Sequence, residues 1–248
     1  MSDTTAHGSP AKHISLILVA KYPTPGRVKT RMIPGLSALA AARVHELFLH
    51  HVRRTCEQLA AQSGLIDLVL LFDPPDRPSA WSDWVQWRRL PQEPGDLGRR
   101  MDAAFHALAG SDSAGCVFMG ADAPELTAHQ ILWAVQQISN ARYAMIPAHD
   151  GGYVLFGLPT GEPTLLHGIS WGTPQVAIQT RSLAATHGAS IYELPPMHDI
   201  DTVEDLMSLL TRLASDPQHP SASVLLRNLA PILRDAKTGH RAAGRDGT

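Results

Sequence analysis

Four cations fall within eleven residues near the start of the chain: Lys21, Arg27, Lys29 and Arg31, on a segment punctuated by Pro23, Pro25, Gly26 and Pro34. Proline fixes φ and glycine admits backbone conformations closed to other residues, so the segment is stiff in places and bent in others. Lysine supplies a point charge and arginine a planar fork for two oxygens, so such a loop suits a polyphosphate. A solvated basic loop has the same composition. The pattern is not a Walker A loop, because Lys29 follows Val28 rather than glycine, and it is not GxGxxG. Four acids stand out further on. Asp122 follows an apolar run, Asp150 opens a Gly151-Gly152 turn, and Asp199 and Asp201 are two apart. If that last stretch is extended, its two carboxylates project to the same side. One or two such carboxylates plus substrate phosphates are what Mg²⁺ usually takes as protein and ligand oxygens. A metal and the basic loop would then neutralise one diphosphate from two sides, which makes a nucleoside diphosphate a better leaving group. Each acid also has a structural role open to it: Asp122 as a brace for the next helix, Asp150 as a turn residue, Asp199 or Asp201 as a cap. His149 and His198 each precede one of these acids and read more readily as structural than as catalytic.

The elements that must position these groups follow from periodicity. Ile14–Ala20 is a continuous apolar run of the length and β-branched content of a strand buried on both faces. The basic loop occupies 21–36, Ser37 is a candidate N-cap, and a helix runs to about Gln62 with Val44, Phe48, Val52, Cys56 and Leu59 on one face. Ile66–Phe72 is a second strand, closed by Asp73-Pro74-Pro75. Strand, helix, strand implies a parallel unit with a right-handed crossover. Trp81, Trp84 and Trp87, three apart, read as one packed side of a short helix rather than a base-stacking platform, and a short strand follows near 87–90. The loop from Pro91 to Gly98 leads into a helix with Leu97, Met101, Ala104, Phe105 and Leu108 inward. Its glycines offer free N–H groups at the positive end of the helix dipole, while Asp96 can simply cap. Cys116–Met119 is a buried strand, Thr127 caps a helix with Ile131, Leu132, Val135 and Ile138 inward, and Tyr143–Pro147, Val154–Leu158 and Ser190–Leu194 are strands. A helix between them ends near His187-Gly188. Thr202, with Asp205 three residues on, starts a helix carrying Val203, Leu206, Leu210 and Leu213.

Composition bounds the function. The chain has 248 residues and a formal net charge of -2, so bulk charge does not point to nucleic acid or a membrane surface. No apolar run reaches the length of a membrane span. Cys56 and Cys116 form no CxxC and the 13 histidines are scattered, which argues against a disulfide scaffold or a zinc site and suits the cytoplasm. Residues 1–12 read as a disordered leader, 13–215 as the main domain, and 216–248 as a linker, a helix over Ser223–Ala236 and a loose tail. Oligomeric state is open.

Six segments carry a resemblance: VAKYPTPGRVKTRM, QEPGDLGRRM, FMGADAPELT, PAHDGGYVLFGL, ISWGTPQV and DIDTVEDL, in this order over roughly residues 14–213. Together they resemble a bacterial family of GT-A-like glycosyltransferases of the arsenosugar-biosynthesis type, in the nucleotide-diphospho-sugar transferase superfamily. The resemblance implies an α/β, Rossmann-like GT-A fold, a mostly parallel mixed sheet flanked by helices on both faces. It implies that Lys21, Gly26, Arg27, Lys29 and Arg31 face nucleotide phosphates and that Gly95 and Gly98 border the nucleobase. Asp122 takes the place of the metal-binding aspartate, although position 120 is glycine and no DxD is present. Asp201 is the second carboxylate for Mg²⁺ or Mn²⁺, with Asp199 beside it. Gly151, Gly152, Tyr153 and Trp171 border the transferred group, and Asp122, Asp150 and Lys29 are the candidate catalytic residues, Asp150 as acceptor base. The function so implied is a metal-dependent transferase using a nucleotide-sugar donor. The alternatives are a nucleotidyltransferase that releases pyrophosphate from an NTP, as guanylyl- and cytidylyltransferases of the superfamily do, and a non-catalytic nucleotide-binding protein.

Overall fold

The computed structural model describes residues 12–243 apart from positions 75 and 77, so the leader expected over 1–12 lies outside the described residues except for Lys12. The first strand, β1 (His13–Lys21), is apolar on both sides. Ile14, Leu16, Leu18 and Ala20 enter one core layer and Ile17 and Val19 the other, as the two-residue period of a strand requires. Such a strand needs a partner at each edge and a helix layer on each face. Its edges carry β2 (Ile66–Asp73) and β4 (Ser113–Met119), both parallel to it. With β3 (Arg88–Pro91), β5 (Tyr143–Pro147), β6 (Tyr153–Pro159) and β7 (Ile191–Glu193), the sheet order is β3-β2-β1-β4-β6-β5-β7. Only β6 runs against its neighbours, so the sheet is mixed and mostly parallel.

The helices α1 (Ala38–Gln62), α3 (Ala128–Ser139), α5 (Val203–Ser215) and α6 (Ala222–Ala243) feed one core layer; α2 (Leu97–Leu108) and α4 (Val176–Thr186) feed the other. The expected caps are in place. Ser37 Oγ accepts from the Ala40 N–H at 3.1 Å, Asp96 from the Arg99 N–H at 2.9 Å, and Thr127 and Thr202 form reciprocal capping boxes with Gln130 and Asp205. Three inward faces differ from expectation. Leu97 is 38% exposed because it is the first residue of α2, with no preceding turn to pack beside. Leu132 is 41% exposed, since the buried stripe of α3 is Ile131, Ala134 and Ile138, and Leu132 lies about 100° around the axis from Ile131. In α5 the buried position is Leu209 rather than Leu210.

The three tryptophans are all buried, but not on one helix. A 3-10 turn, Pro78–Trp81, is followed by further turns in which Trp84 N–H bonds to Trp81 O and Trp87 N–H to Trp84 O, each at 3.1 Å. A three-residue period places every third side chain on one side. The rings meet edge to face at 5.6 and 5.1 Å, and Trp87 Nε1 donates to Glu57 Oε1 at 2.9 Å.

The helix expected over 223–236 is α6, which runs from Ala222 to Ala243, and residues 244–248 of the expected tail lie outside the described residues. Leu225 and Leu229 are fully buried in the same core as α1 and α5. Among the described residues no helix is long and apolar enough to cross a membrane. If α6 belongs to the cooperative core, Leu225→Ala and Leu229→Ala should each cost about 2–5 kcal/mol in urea unfolding. A loss below about 0.5 kcal/mol, typical of a surface change, would mean that α6 folds apart from the sheet.

Candidate functional site

Because six strands point one way, the carboxyl ends of β1, β4 and β5 reach the same edge of the sheet. The reversed β6 starts there, after a turn that follows β5 directly. Ligands of open α/β sheets bind at this edge, and here a cleft of about 560 Å³ opens. The segment between β1 and α1 brings Lys21, Arg27, Lys29 and Arg31 to its wall, and Arg100 comes from α2. Asp122 follows β4, Asp150, Gly152 and Tyr153 come from the turn into β6, and Asp199 and Asp201 precede α5.

Lys29 sits where these groups meet. Its backbone is left-handed, φ 46° and ψ 41°, at the head of a one-turn 3-10 helix over Thr30–Met32. Its side chain is 3% exposed. Nζ lies 2.6 Å from Asp122 Oδ1, 2.9 Å from Asp201 Oδ1 and 2.5 Å from the Ile200 carbonyl oxygen. Of its three N–H donors, two are hydrogen-bonded, to Asp201 Oδ1 and the Ile200 carbonyl oxygen, and Asp122 is held as an ion pair. Burial alone would lower the Lys29 pKa, but the two carboxylates outweigh it and hold it above the ordinary lysine value. Burial likewise pushes the Asp122 carboxyl up, and Lys29 more than reverses that. The resemblance turns Lys29 toward phosphates; the structure turns its donors to carboxylates and a carbonyl. Arg31 is the more distant partner of Asp201, Nη1 to Oδ2 at 3.5 Å, and is largely exposed. Lys21 and Arg27 are exposed and make no side-chain ion pair among the described residues.

The four acids differ in their surroundings. Asp122 is not a helix brace, because α3 starts beyond it and is capped by Thr127. Neither Asp199 nor Asp201 caps α5; Thr202 does. Asp205 Oδ2 also accepts from the Asp201 N–H at 3.1 Å, which fixes that backbone. Asp150 does hold its turn, accepting from the Gly152 N–H at 2.8 Å, and it faces the cleft as well. The Asp199 carboxyl is pushed up by burial and then by the charges of Asp150, Asp201 and Asp122. The exposed rings of His149 and His198 meet at a 30° tilt, 4.2 Å between centroids.

Other nominated residues lie off the wall. Gly26, Gly95, Gly98, Gly151 and Trp171 do not line the cleft. A Cβ on Gly98 would come within 2.2 Å of Trp171 Nε1, and one on Gly151 within 2.1 Å of the Pro174 carbonyl oxygen. Both glycines therefore serve close packing of the loop that carries Trp171. That ring stands edge-on to Tyr153 at 6.0 Å, and the buried Tyr153 hydroxyl has no hydrogen-bond partner among the described residues.

Three wall residues, His45, Gln92 and Arg100, are not among the candidates read from the sequence. His45 falls on the inner stripe of α1, and its Nε2 is 3.0 Å from the Lys21 carbonyl oxygen. A carbonyl only accepts, so Nε2 carries the proton and Nδ1 presents a lone pair. That Nδ1 is buried, without a partner, 3.9 Å from Asp122 Oδ1. Burial holds the His45 pKa below the ordinary histidine value, against the pull of Asp122. The Gln92 amide donates to the Ala20 and Leu71 carbonyls and its oxygen accepts from Arg100 Nη1 at 2.8 Å. It thereby ties two strand ends together and aims Arg100. His45 could have been noticed as a histidine on an apolar helical stripe; the role of Gln92 depends on strand ends that only folding brings together.

No cluster of three or more His, Cys, Asp or Glu side chains with metal-holding geometry occurs among the described residues. Asp122 and Asp201 do converge on one point, now filled by an ammonium. Two carboxylates suffice for a cation that draws its other ligands from phosphate and water, so the donor set fits Mg²⁺ or Mn²⁺ bound together with substrate.

A neutral buried His45 has a consequence for stability. The unfolded imidazole takes up a proton near pH 6.5, the folded one only at lower pH, so stability is intact above that value and falls as pH drops below it. His51, whose pKa burial also lowers, adds a slope of the same sign. Urea unfolding of His45→Gln between pH 7 and 5 should show a shallower decline than wild type. An unchanged decline would mean that His45 takes up its proton alike in the folded and unfolded chains.

The sequence matches a bacterial family, described as uncharacterized and conserved in bacteria (DUF2064), over residues 55–173. No curated protein matches it. Among solved structures it is similar to a protein of Desulfovibrio desulfuricans G20, provisionally described as a nucleotide-diphospho-sugar transferase. Identity there is 27%, with 90% of this chain and 97% of that chain covered, at a TM-score of 0.77. More distant likenesses are Rv0371c of Mycobacterium tuberculosis H37Rv, at 15% identity, and 4-diphosphocytidyl-2C-methyl-D-erythritol synthase of Anaerococcus prevotii DSM 20548, at 13%. Each has a TM-score of 0.52 and is covered to 99%, with 81% and 82% of this chain, and these two bear on the fold alone. The chain thus carries the Rossmann-like fold of the nucleotide-diphospho-sugar transferase superfamily, with its charged cleft at the carboxyl edge of the sheet.

Proposed function

We propose that the protein is a nucleotide-utilising transferase whose donor is a nucleotide-sugar. The observation that carries this reading is one cleft in which a cationic loop faces two converging carboxylates, Asp122 and Asp201, at the carboxyl edge of the sheet. The likeness to the Desulfovibrio protein supports it. The donor's diphosphate lies under Lys21, Arg27 and Arg31, with Arg100, held by Gln92, at its flank. The transferred group lies against Gly152 and Tyr153, where the Tyr153 hydroxyl has hydrogen-bonding capacity to spare. A divalent cation, Mg²⁺ or Mn²⁺, held by Asp122 and Asp201 would offset diphosphate charge. As the bond from the sugar's anomeric carbon to the phosphate oxygen breaks, its electron pair goes to that oxygen, and the arginines stabilise the charge through paired N–H donors. The acceptor oxygen bonds to the anomeric carbon and its proton passes to Asp150, the exposed carboxylate at the mouth of the cleft.

The test is thermal unfolding against a panel of nucleotide-sugars and NTPs, with and without Mg²⁺. A ligand at about 100 times its Kd stabilises by about 2.7 kcal/mol. That is a rise of about 5–10 °C for a domain of this size. A Mg²⁺-dependent rise with one nucleotide-sugar is expected, and Asp122→Asn should remove its metal dependence. Arg27→Ala should weaken binding about 10- to 100-fold, the loss of a charge-assisted contact. A rise with an NTP alone would reassign the reaction to nucleotidyl transfer. Binding with no turnover, indifferent to Asp122→Asn, would leave a nucleotide-binding protein.

A further inference from the structure

The Lys29 ammonium and a divalent cation have a use for the same oxygens. Nζ lies on Asp122 Oδ1 at 2.6 Å and Asp201 Oδ1 at 2.9 Å, and the side chain is 3% exposed. A cation bridging these two atoms would have to occupy the space where Nζ now sits. Both cannot be there, since they would fill the same space and two positive charges at such a separation repel. Beyond that one ammonium the two carboxylates are met only loosely, by the exposed Arg31 at 3.5 Å from Asp201 among the described residues, so a divalent cation would offset more of their charge. We propose that Lys29 is a resident cation, an exchangeable stand-in that holds Asp122 and Asp201 together in the unliganded protein. It yields the cage when a divalent cation arrives with a diphosphate, and its ammonium transfers to the phosphate oxygens. The inference rests on the nucleotide-sugar reading and adds an order to it.

Several features favour exchange over a fixed bridge. Lysine is a point charge on a four-carbon stem, and it keeps its charge when it changes partners. Among the described residues the other lysine or arginine on the cage is Arg31, at 3.5 Å and exposed, so it does not bridge the two carboxylates as the ammonium does. Metal alone would have to expel Lys29 with no anion to receive it. Metal and diphosphate together supply that anion, so each should strengthen binding of the other, and by the same factor. The cage keeps its shape during the exchange, because Asp205 holds the Asp201 backbone and the Ile200 N–H donates to the Asp122 carbonyl at 2.8 Å.

The experiment is equilibrium dialysis with Mn²⁺, reading protein-bound metal directly, on wild type and Lys29→Met. Inorganic pyrophosphate serves as the diphosphate probe. Wild type should hold Mn²⁺ weakly alone and retain metal and pyrophosphate together. Lys29→Met should hold Mn²⁺ alone at least about tenfold more tightly, because the two carboxylates have lost their counter-ion. Adding Asp201→Asn to that variant should abolish the gain. Equal Mn²⁺ binding by wild type and Lys29→Met, with pyrophosphate still promoting uptake, would overturn the exchange while leaving the nucleotide-sugar reading in place. If Lys29→Met does not fold, wild type decides: Mn²⁺ uptake unaffected by pyrophosphate refutes the exchange. No retention of Mn²⁺ by any of the proteins, even with pyrophosphate, would refute the exchange and the metal-assisted reading together.

Discussion

One buried ammonium organises the cleft. Burying a lysine is costly unless hydrogen-bond acceptors and opposite charge are near, and Lys29 bonds to Asp201 and the Ile200 carbonyl oxygen with the Asp122 carboxylate beside it. Those acceptors come from the end of β4 and from the segment before α5, so a residue near the start of the chain is tied to one 172 positions later. Without a cation between them, Asp122 and Asp201 would repel each other across a cleft that already holds Asp199 and Asp150. The bridge therefore both closes the loop and makes the acid cluster tolerable. It leaves part of the cluster unbalanced, as the raised Asp199 carboxyl records.

The topology determines which groups can meet. A fully parallel sheet would send the chain after β5 back through a crossover of a dozen or more residues. Reversing β6 replaces that crossover with a short turn at the carboxyl edge, and Asp150, Gly152 and Tyr153 arrive beside the ends of β1 and β4 as a result. Gly151, at φ 94° and pressed against the Pro174 carbonyl, is what lets the turn be that tight. Gln92 does the equivalent on the other side, holding the ends of β1 and β2 by two amide hydrogen bonds while it aims Arg100 inward.

Much of this was legible in the sequence, for reasons of period and chemistry. The strand at Ile14–Ala20, the helix beginning after Ser37 and the caps at Asp96, Thr127 and Thr202 each follow from a local rule, and the structure has them. The basic loop and the four acids were identifiable as residues of one kind in suggestive places. Their relation was not, because sequence spacing gives no hint that Lys29 spends its donors on Asp122 and Asp201 rather than facing outward. The inward faces of α3 and α5 slipped by one or two positions where several apolar residues compete for one stripe. The tryptophan spacing suggested a helix because a three-residue period is close to 3.6. A helix over Ser223–Ala236 was legible from its amphipathic period, but that Leu225 and Leu229 join the core of α1 and α5 was not, because period alone does not say which surface a helix covers.

The net charge of -2 hides a strong separation. Along the sheet, Lys21, Arg27, Arg31 and Arg100 come from the β3-β2-β1 side, and Asp122, Asp150, Asp199 and Asp201 from the β4-β6-β5 side and the segment packed beyond it. Lys29 reaches across the boundary from within the cleft, and Arg31 meets Asp201 at 3.5 Å from its exposed rim. Charge set against charge in a shared concavity focuses the local potential far more than the total suggests. The cationic half suits the anionic end of a substrate, and the acid half repels it, so orientation follows from the field before any close contact forms. The acid half is also where an uncharged, hydroxyl-rich group can accept and donate hydrogen bonds without bringing further negative charge to an already crowded cluster. A donor with a diphosphate at one end and a sugar at the other matches that polarity in a way that a uniformly anionic polymer does not.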